Sequence, residues 1–205
     1  MTKINRRAAL VLGLGTAIIP ALSSAAEKKS LDGPMTRMKE RELTRDEALF
    51  IIQHTTNAVV STADKNGFPY GVPVTPVYLD GKVYFHGSNL GRKGKNIEEN
   101  PNISICWIGG QELAKGDFAV NYASAIVAGK AHLIKDREET KRILFKLVDR
   151  HIPHTDKEKE DYFKVYGPDV HVWEVDIEKI SGKARNKQIY FNKLVNYQIK
   201  CKVTE

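Results

Sequence analysis

Residues 83–101, VYFHGSNLGRKGKNIEENP, pass from an apolar run through glycines and bases into a helical stretch that Pro101 ends. A helix N-terminus presents unpaired N–H groups and a partial positive charge, so an anion is favoured there. Gly87 and Gly91 let the backbone come close to a ligand. Arg92, Lys93 and Lys95 would add charge-assisted hydrogen bonds. The stretch fits a cradle for a phosphate; the alternative is a solvated turn. His86, at the strand end beside it, can give up or take a proton near neutral pH, or ligate a metal.

Other constellations are weaker. His151-Ile152-Pro153-His154 has the H-x-x-H look of a metal site, but Pro153 breaks the helix that would align the two rings. No carboxylate or cysteine is placed to complete a set, and no metal is expected. Cys106 lies in an apolar strand pattern, ISICWIG, and Cys201 in the C-terminal tail, so no nucleophile set can be assembled. The two could pair in an oxidising compartment, although a buried inert thiol is the default for Cys106. Trp107 and Trp173 fall in apolar strand patterns and are expected in the core. The charged run 157–161 reads as a solvated helix face.

The elements that must position these residues begin after a targeting segment. Lys3, Arg6 and Arg7 precede an uncharged apolar stretch, 8–22, and small residues follow it, the pattern of a signal peptide cut after Ala26. Asn5-Arg6-Arg7-Ala8-Ala9-Leu10 resembles a twin-arginine signal, with Ala9 where a Phe is usual. The apolar stretch is short for a bilayer span, and Gly13, Gly15 and Pro20 interrupt it, so no stable membrane insertion is expected once it is cleaved. The expected location is periplasmic or otherwise exported. Cleavage removes 26 of the 205 residues and three bases, which takes the formal charge from +7 to +4. That is one domain's length, with a charge too mild to argue for nucleic acid.

Residues 27–43 read as a mobile leader, 44–185 as the domain and 186–205 as a tail that could add an edge strand or cross to a partner subunit. Thr44-Arg45-Asp46-Glu47 has capping-box spacing before ALFII and predicts a helix over 45–54. NAVVSTA (57–63), a strand around 69–79 edged by Pro73 and Pro76, and KVYFHG (82–87) predict an antiparallel meander joined by turns at 64–67 and 80–81. A helix over 91–99 follows, then strands at 103–108 and 118–134, the latter bent at Gly129. Helices at 136–151 and 157–167 precede an alternating strand, 171–182. Short connections between some six sequential strands suggest a small antiparallel β-barrel with flanking helices.

The order of these elements, with Pro73-Val74-Thr75-Pro76-Val77, Val83-Tyr84-Phe85-His86, Ser124-Ala125-Ile126-Val127, Gly129-Lys130-Ala131 and Ile180-Ser181-Gly182-Lys183, resembles the flavin mononucleotide-binding split barrels, the pyridoxamine 5′-phosphate oxidase superfamily. Within it the likeness is to the nitroimidazole-reductase branch, over roughly residues 37–185. The resemblance implies a six-stranded antiparallel split barrel, mainly β with flanking helices, that holds flavin mononucleotide (FMN) at a homodimer interface. It implies that Arg92 and Lys93 hold the flavin phosphate, which favours the cradle. It further implies that His86 and Gly87 touch the cofactor, that Val74, Thr75, Pro76 and Val77 run along the ring edge, and that Ser124 makes one hydrogen bond to it.

His86 could act as the catalytic proton donor, merely pack beside the flavin, or ligate haem iron, since some split barrels bind haem; a deazaflavin is a further alternative. The oxidases' late tryptophan is replaced by Ile180 or Ser181 here, and their substrate-binding arginine and histidine have no counterpart in 184–205. Pyridoxamine phosphate oxidation is therefore not expected. The implied activity is FMN-dependent reduction of a small electron-poor molecule, with an unidentified electron donor. A non-catalytic flavin or haem carrier is the alternative.

Overall fold

The computed structural model describes residues 37–114, 116–151, 154–188 and 190–191. The signal segment, most of the leader and Cys201 lie outside the described residues. The first described element after a short 3₁₀ turn (Lys39–Arg41) is α1, Arg45–His54. It starts as its sequence predicts. Thr44 Oγ1 accepts from the Glu47 amide (3.2 Å), and the Glu47 carboxylate accepts from the Thr44 amide (2.8 Å). Leu43, at the edge of the expected leader, is buried, and its amide donates to the Gly182 carbonyl.

Seven strands form one antiparallel sheet: β1 (Ala58–Ala63), β2 (Pro69–Val74), β3 (Val77–Leu79), β4 (Lys82–Gly87), β5 (Asn102–Leu113), β6 (Val120–Leu133) and β7 (His171–Arg185). Their order is β2-β1-β5-β6-β7-β4-β3. The expected antiparallel sheet with flanking helices is present, but with seven strands rather than six. The single strand expected over 69–79 is divided. Its first half pairs with β1 and its second half with β4, and these two halves are the opposite edges of the sheet. Thr75 and Pro76 alone join them, so the chain itself spans the seam where the curled sheet meets. Proline has no N–H to give a ladder, which is why the strand parts there.

Local turn chemistry sets the hairpins. Asp64 Oδ1 accepts from the amides of Asn66 and Phe68 across the β1–β2 turn. Asp80 and Gly81 both have positive φ (52° and 80°), the primed turn whose twist suits a two-residue hairpin. β6 bends where expected: the register with β7 shifts between Ala128 and Gly129, and a side chain at Gly129 would overlap the Asp176 carbonyl.

The barrel interior holds Trp107, Trp173, Phe85, Ile51, Ile52, Ile105, Val60, Val127 and Val175, all essentially inaccessible. Each such side chain contributes about 1.5–3 kcal/mol by leaving water. A second cluster lies outside the sheet, where Ile143 and Leu147 of α3 (Arg137–His151) cover Val77, Tyr84 and Val172. Hence β7 buries residues on both of its faces at its start, Val172 beneath α3 and Trp173 in the barrel. Arg150 of α3 ties this layer to α1 by donating to the carbonyls of Ile52, Gln53 and Thr55. The helix that follows, α4 (Asp156–Tyr166), opens with a second capping box, Thr155 with Glu158. Tyr190 and Phe191, in the segment considered for an edge strand, pack against the barrel core instead. Among the described residues no helix is long and apolar enough to cross a membrane.

Candidate functional site

The site is built at the step from β4 into α2 (Arg92–Glu99). Gly91 is the N-cap of α2, with extended geometry (φ −76°, ψ 169°), and no side chain closes the first turn. No acidic residue lies in that turn either. The loop over 88–90 presses against the helix at Gly94, where an added Cβ would sit 2.8 Å from Cα and carbonyl carbon of Asn89. Only glycine allows that backbone contact, a constraint invisible in the spacing of the motif. Beneath, buried Asn96 Nδ2 donates to Thr62 Oγ1 (2.9 Å), and that hydroxyl donates to the Tyr70 carbonyl (3.3 Å). This relay pins α2 to β1 and β2, since breaking it would leave buried polar groups unpaired.

The two expected cations are held by aromatic rings. The Arg92 guanidinium lies 4.8 Å from the centre of the Tyr70 ring. Lys93 Nζ donates to the His86 carbonyl (3.2 Å) and sits 4.5 Å and 5.1 Å from the ring centres of Trp173 and Phe85. Those two rings stack on each other at 15°. Trp173 is thus a core residue, as expected, and also the floor under Lys93. Gly87 makes this possible, because a Cβ there would fall 2.6 Å from Lys93 Nζ. Among the described residues neither Arg92 nor Lys93 has a carboxylate partner. Burial pushes the Lys93 ammonium below its usual pKa. Two cations without counter-ions beside an uncapped helix end suit a bound anion.

A pocket of about 280 Å³ opens beside them, lined by Asn57, Pro73, Val74, Thr75, His86 and Lys93. Of the segment 74–77, Val74 and Thr75 face this pocket, whereas Pro76 and Val77 are buried. Asn57 and Pro73 are not among the expected site residues: Asn57 precedes β1 with no motif around it, and Pro73 opens the 73–77 motif without an assigned contact. Ser124 is elsewhere. It lies on β6 between Ile108 and Lys183, with its hydroxyl 3.5 Å from the Lys183 carbonyl, and a single chain does not bring it to the pocket.

His86 also borders a second, larger cavity of about 540 Å³ between α3 and α4, where His151 and His154 join it. From sequence His151 and His154 read together as one H-x-x-H and His86 reads apart from them; the tertiary fold brings all three to one cavity. The His86 pKa is lowered from 6.5, first by burial and then by the positive neighbours Lys93 and His151. The residue as a whole is nonetheless exposed, at the mouths of the cavities. Burial and Arg150 lower that of His151. Among the described residues no group of histidine, cysteine and carboxylate side chains is arranged to hold a metal ion.

The sequence model of the pyridoxamine 5′-phosphate oxidase family matches residues 44–184. Among the solved structures that share the fold are three of differing function. One is a 5-nitroimidazole antibiotic resistance protein from Bacteroides thetaiotaomicron, 23% identical over 70% of this chain and 86% of that one, with a TM-score of 0.56. A flavocytochrome from Azotobacter vinelandii is 25% identical over 74% of this chain and 72% of its own (TM-score 0.57). A FAD- and haem-binding protein from Mycobacterium smegmatis is 19% identical over 71% and 74% (TM-score 0.57). No curated protein matches the sequence.

Proposed function

Since the match over residues 44–184 spans most of its length, the chain belongs to the pyridoxamine 5′-phosphate oxidase family, and from that premise we propose an exported, FMN-dependent reductase of small electron-poor molecules such as nitroimidazoles. One observation carries the reading: the uncapped start of α2, with Arg92 and Lys93 lacking carboxylate partners among the described residues, beside a pocket walled by His86. These residues fit a flavin phosphate. Arg92, Lys93 and the first amides of α2 would hold it, and Val74 and Thr75 would meet the ring edge. A bound flavin supplies electron transfer, while the chain supplies placement and shielding from water. His86, neutral at pH 7, offers one N–H and one acceptor, and would hold or deliver a proton at the reacting edge. The names of the nitroimidazole-resistance protein and the flavocytochrome support this class of chemistry. Pyridoxamine 5′-phosphate is not the proposed substrate, because the substrate-binding arginine and histidine of the oxidases have no counterpart in 184–205, where Arg185 is paired with Asp117.

A second copy of the chain completes the site in this reading. Val59, Cys106 and Ile126 stand opposite one another on three adjacent strands, and Val59, Ile126 and nearby Ile108 are exposed apolar residues. Ser124 lies beside Ile108 on that surface, so its route to a flavin is across the dimer. Ile126→Asp should convert a dimer to a monomer in light scattering; a wild-type monomer would sink the assignment. Export rests on the N-terminal segment, and cell fractionation tests it.

The test of function is the absorption spectrum of protein purified without added cofactor, beside Arg92→Ala/Lys93→Ala. Flavin absorption lost in the double variant, and bleached by a reductant then restored by a nitroimidazole, is the expected result. A colourless wild-type protein that takes up no flavin would overturn it. A Soret band that depends on His86 would make it a haem protein.

A further inference from the structure

The flavin reading leaves the larger cavity unused. Its walls are Leu144, Leu147 and Val148 of α3, Tyr162 and Phe163 of α4, and Val170. At about 540 Å³ it has the size of a small-molecule pocket, and such pockets are mainly apolar with a few placed polar groups. The charged residues on its wall are engaged by the protein. Glu158 closes the capping box with Thr155, and Lys159 pairs with Asp149 and Asp156. What remains for a ligand is the imidazoles of His86 and His151 and the Tyr162 hydroxyl, since His154 Nδ1 faces the Glu158 carboxylate at 3.8 Å. The lowered pKa values of His86 and His151 keep both rings neutral at pH 7, which suits an uncharged occupant. His86 forms part of both cavities, so their occupants would be separated by one side chain.

We propose that the cavity between α3 and α4 is a binding subsite for an uncharged planar aromatic molecule, of the naphthoquinone or bicyclic nitroarene class, packed on Phe163 and hydrogen-bonded by the imidazoles of His86 and His151. Binding itself requires no flavin. Only the consequence, that the occupant is the molecule reduced, rests on the reading above.

The test is calorimetric titration of the purified protein with menadione, an uncharged naphthoquinone. One molecule per chain should bind, and Val148→Trp, which fills the cavity from α3, should weaken binding about tenfold or more with flavin content unchanged. Phe163→Ala removes the packing surface from the opposite wall and should also weaken it; this variant decides the matter if the tryptophan variant fails to fold. No binding up to the solubility limit, or equal binding by wild type and folded variants, overturns the proposal. So does a Soret band lost in His151→Ala, which would assign the cavity to haem. Menadione binding that responds to both variants, in a protein that never takes up flavin, would sustain this subsite and defeat the flavin reading.

Discussion

Thr44 closes the first turn of α1 with its hydroxyl while Glu47 reaches back to the Thr44 amide, and Thr155 and Glu158 do the same at α4. At α2 the corresponding position is Gly91, without a side chain, and the first turn that follows has Arg92 and Lys93 and no acid, whereas α1 carries Asp46 and Glu47 there and α4 Asp156 and Glu158. A helix end can satisfy its orphan amides internally or leave them for something else. Three helices of this protein are finished objects, since Asp136 Oδ1 likewise accepts from the Glu138 and Glu139 amides at the start of α3. The fourth, α2, leaves its first amides without a side-chain cap, and aromatic rings hold its two cations beside them.

That contrast can be broken most severely by removing the cations. Arg92→Ala and Lys93→Ala should each weaken FMN binding by about 1.5–3 kcal/mol, the range for hydrogen bonds to charged groups, and the pair should abolish it in fluorescence titration. The melting midpoint of the flavin-free protein should not fall. A double variant that binds FMN like wild type ends the cradle assignment.

Gly91→Asp converts α2 to the style of α1. The position is open, with extended backbone, so a carboxylate there can cap the first turn. Stability without flavin should rise by a few tenths of a kcal/mol. FMN affinity should drop about tenfold, because the new carboxylate takes the amides and repels phosphate. Undiminished affinity would mean that the amides play no part.

Thr44→Ala or Thr155→Ala should cost about 1 kcal/mol in urea denaturation and leave flavin content untouched. The smallest effect belongs to His86. Its folded pKa lies below 6.5, so between that lower value and 6.5 the unfolded chain binds more protons. Stability is therefore complete above pH 6.5 and declines as pH falls through this window, and His86→Gln should shallow the decline. An identical urea-midpoint profile in the variant would mean that the ring's environment matters little.

What could be read from sequence was local. Thr44 with Glu47, Asp80-Gly81 and Gly129 each announce a cap, a turn or a bend within a few residues, and each is where its spacing predicts. What could not be read depended on distant chain. The strand over 69–79 gave no sign that its halves would join opposite edges, since pairing partners are chosen in three dimensions. Gly94 looked like one more glycine of a motif until Asn89 was seen lying on it. Asn57 reaches its pocket, and His151 joins His86, through packing of elements far apart in sequence. Arg92 and Lys93 were legible as a pair, but not the rings of Tyr70, Phe85 and Trp173 that hold them.

The seam at Thr75-Pro76 bears on solubility. Open sheets offer two edges to any passing strand, and such edges seed aggregation. Here both edges are stretches of one segment, and the link keeps Val74 and Val77 within about 11 Å of each other along the chain. A foreign strand needs nearly that much room to pair on both sides. Pro69 and Pro73 remove donors from the β2 edge as well. Cutting the chain at the seam, by proteolysis or by circular permutation, would free two edges at once and offer each as a template to foreign strands.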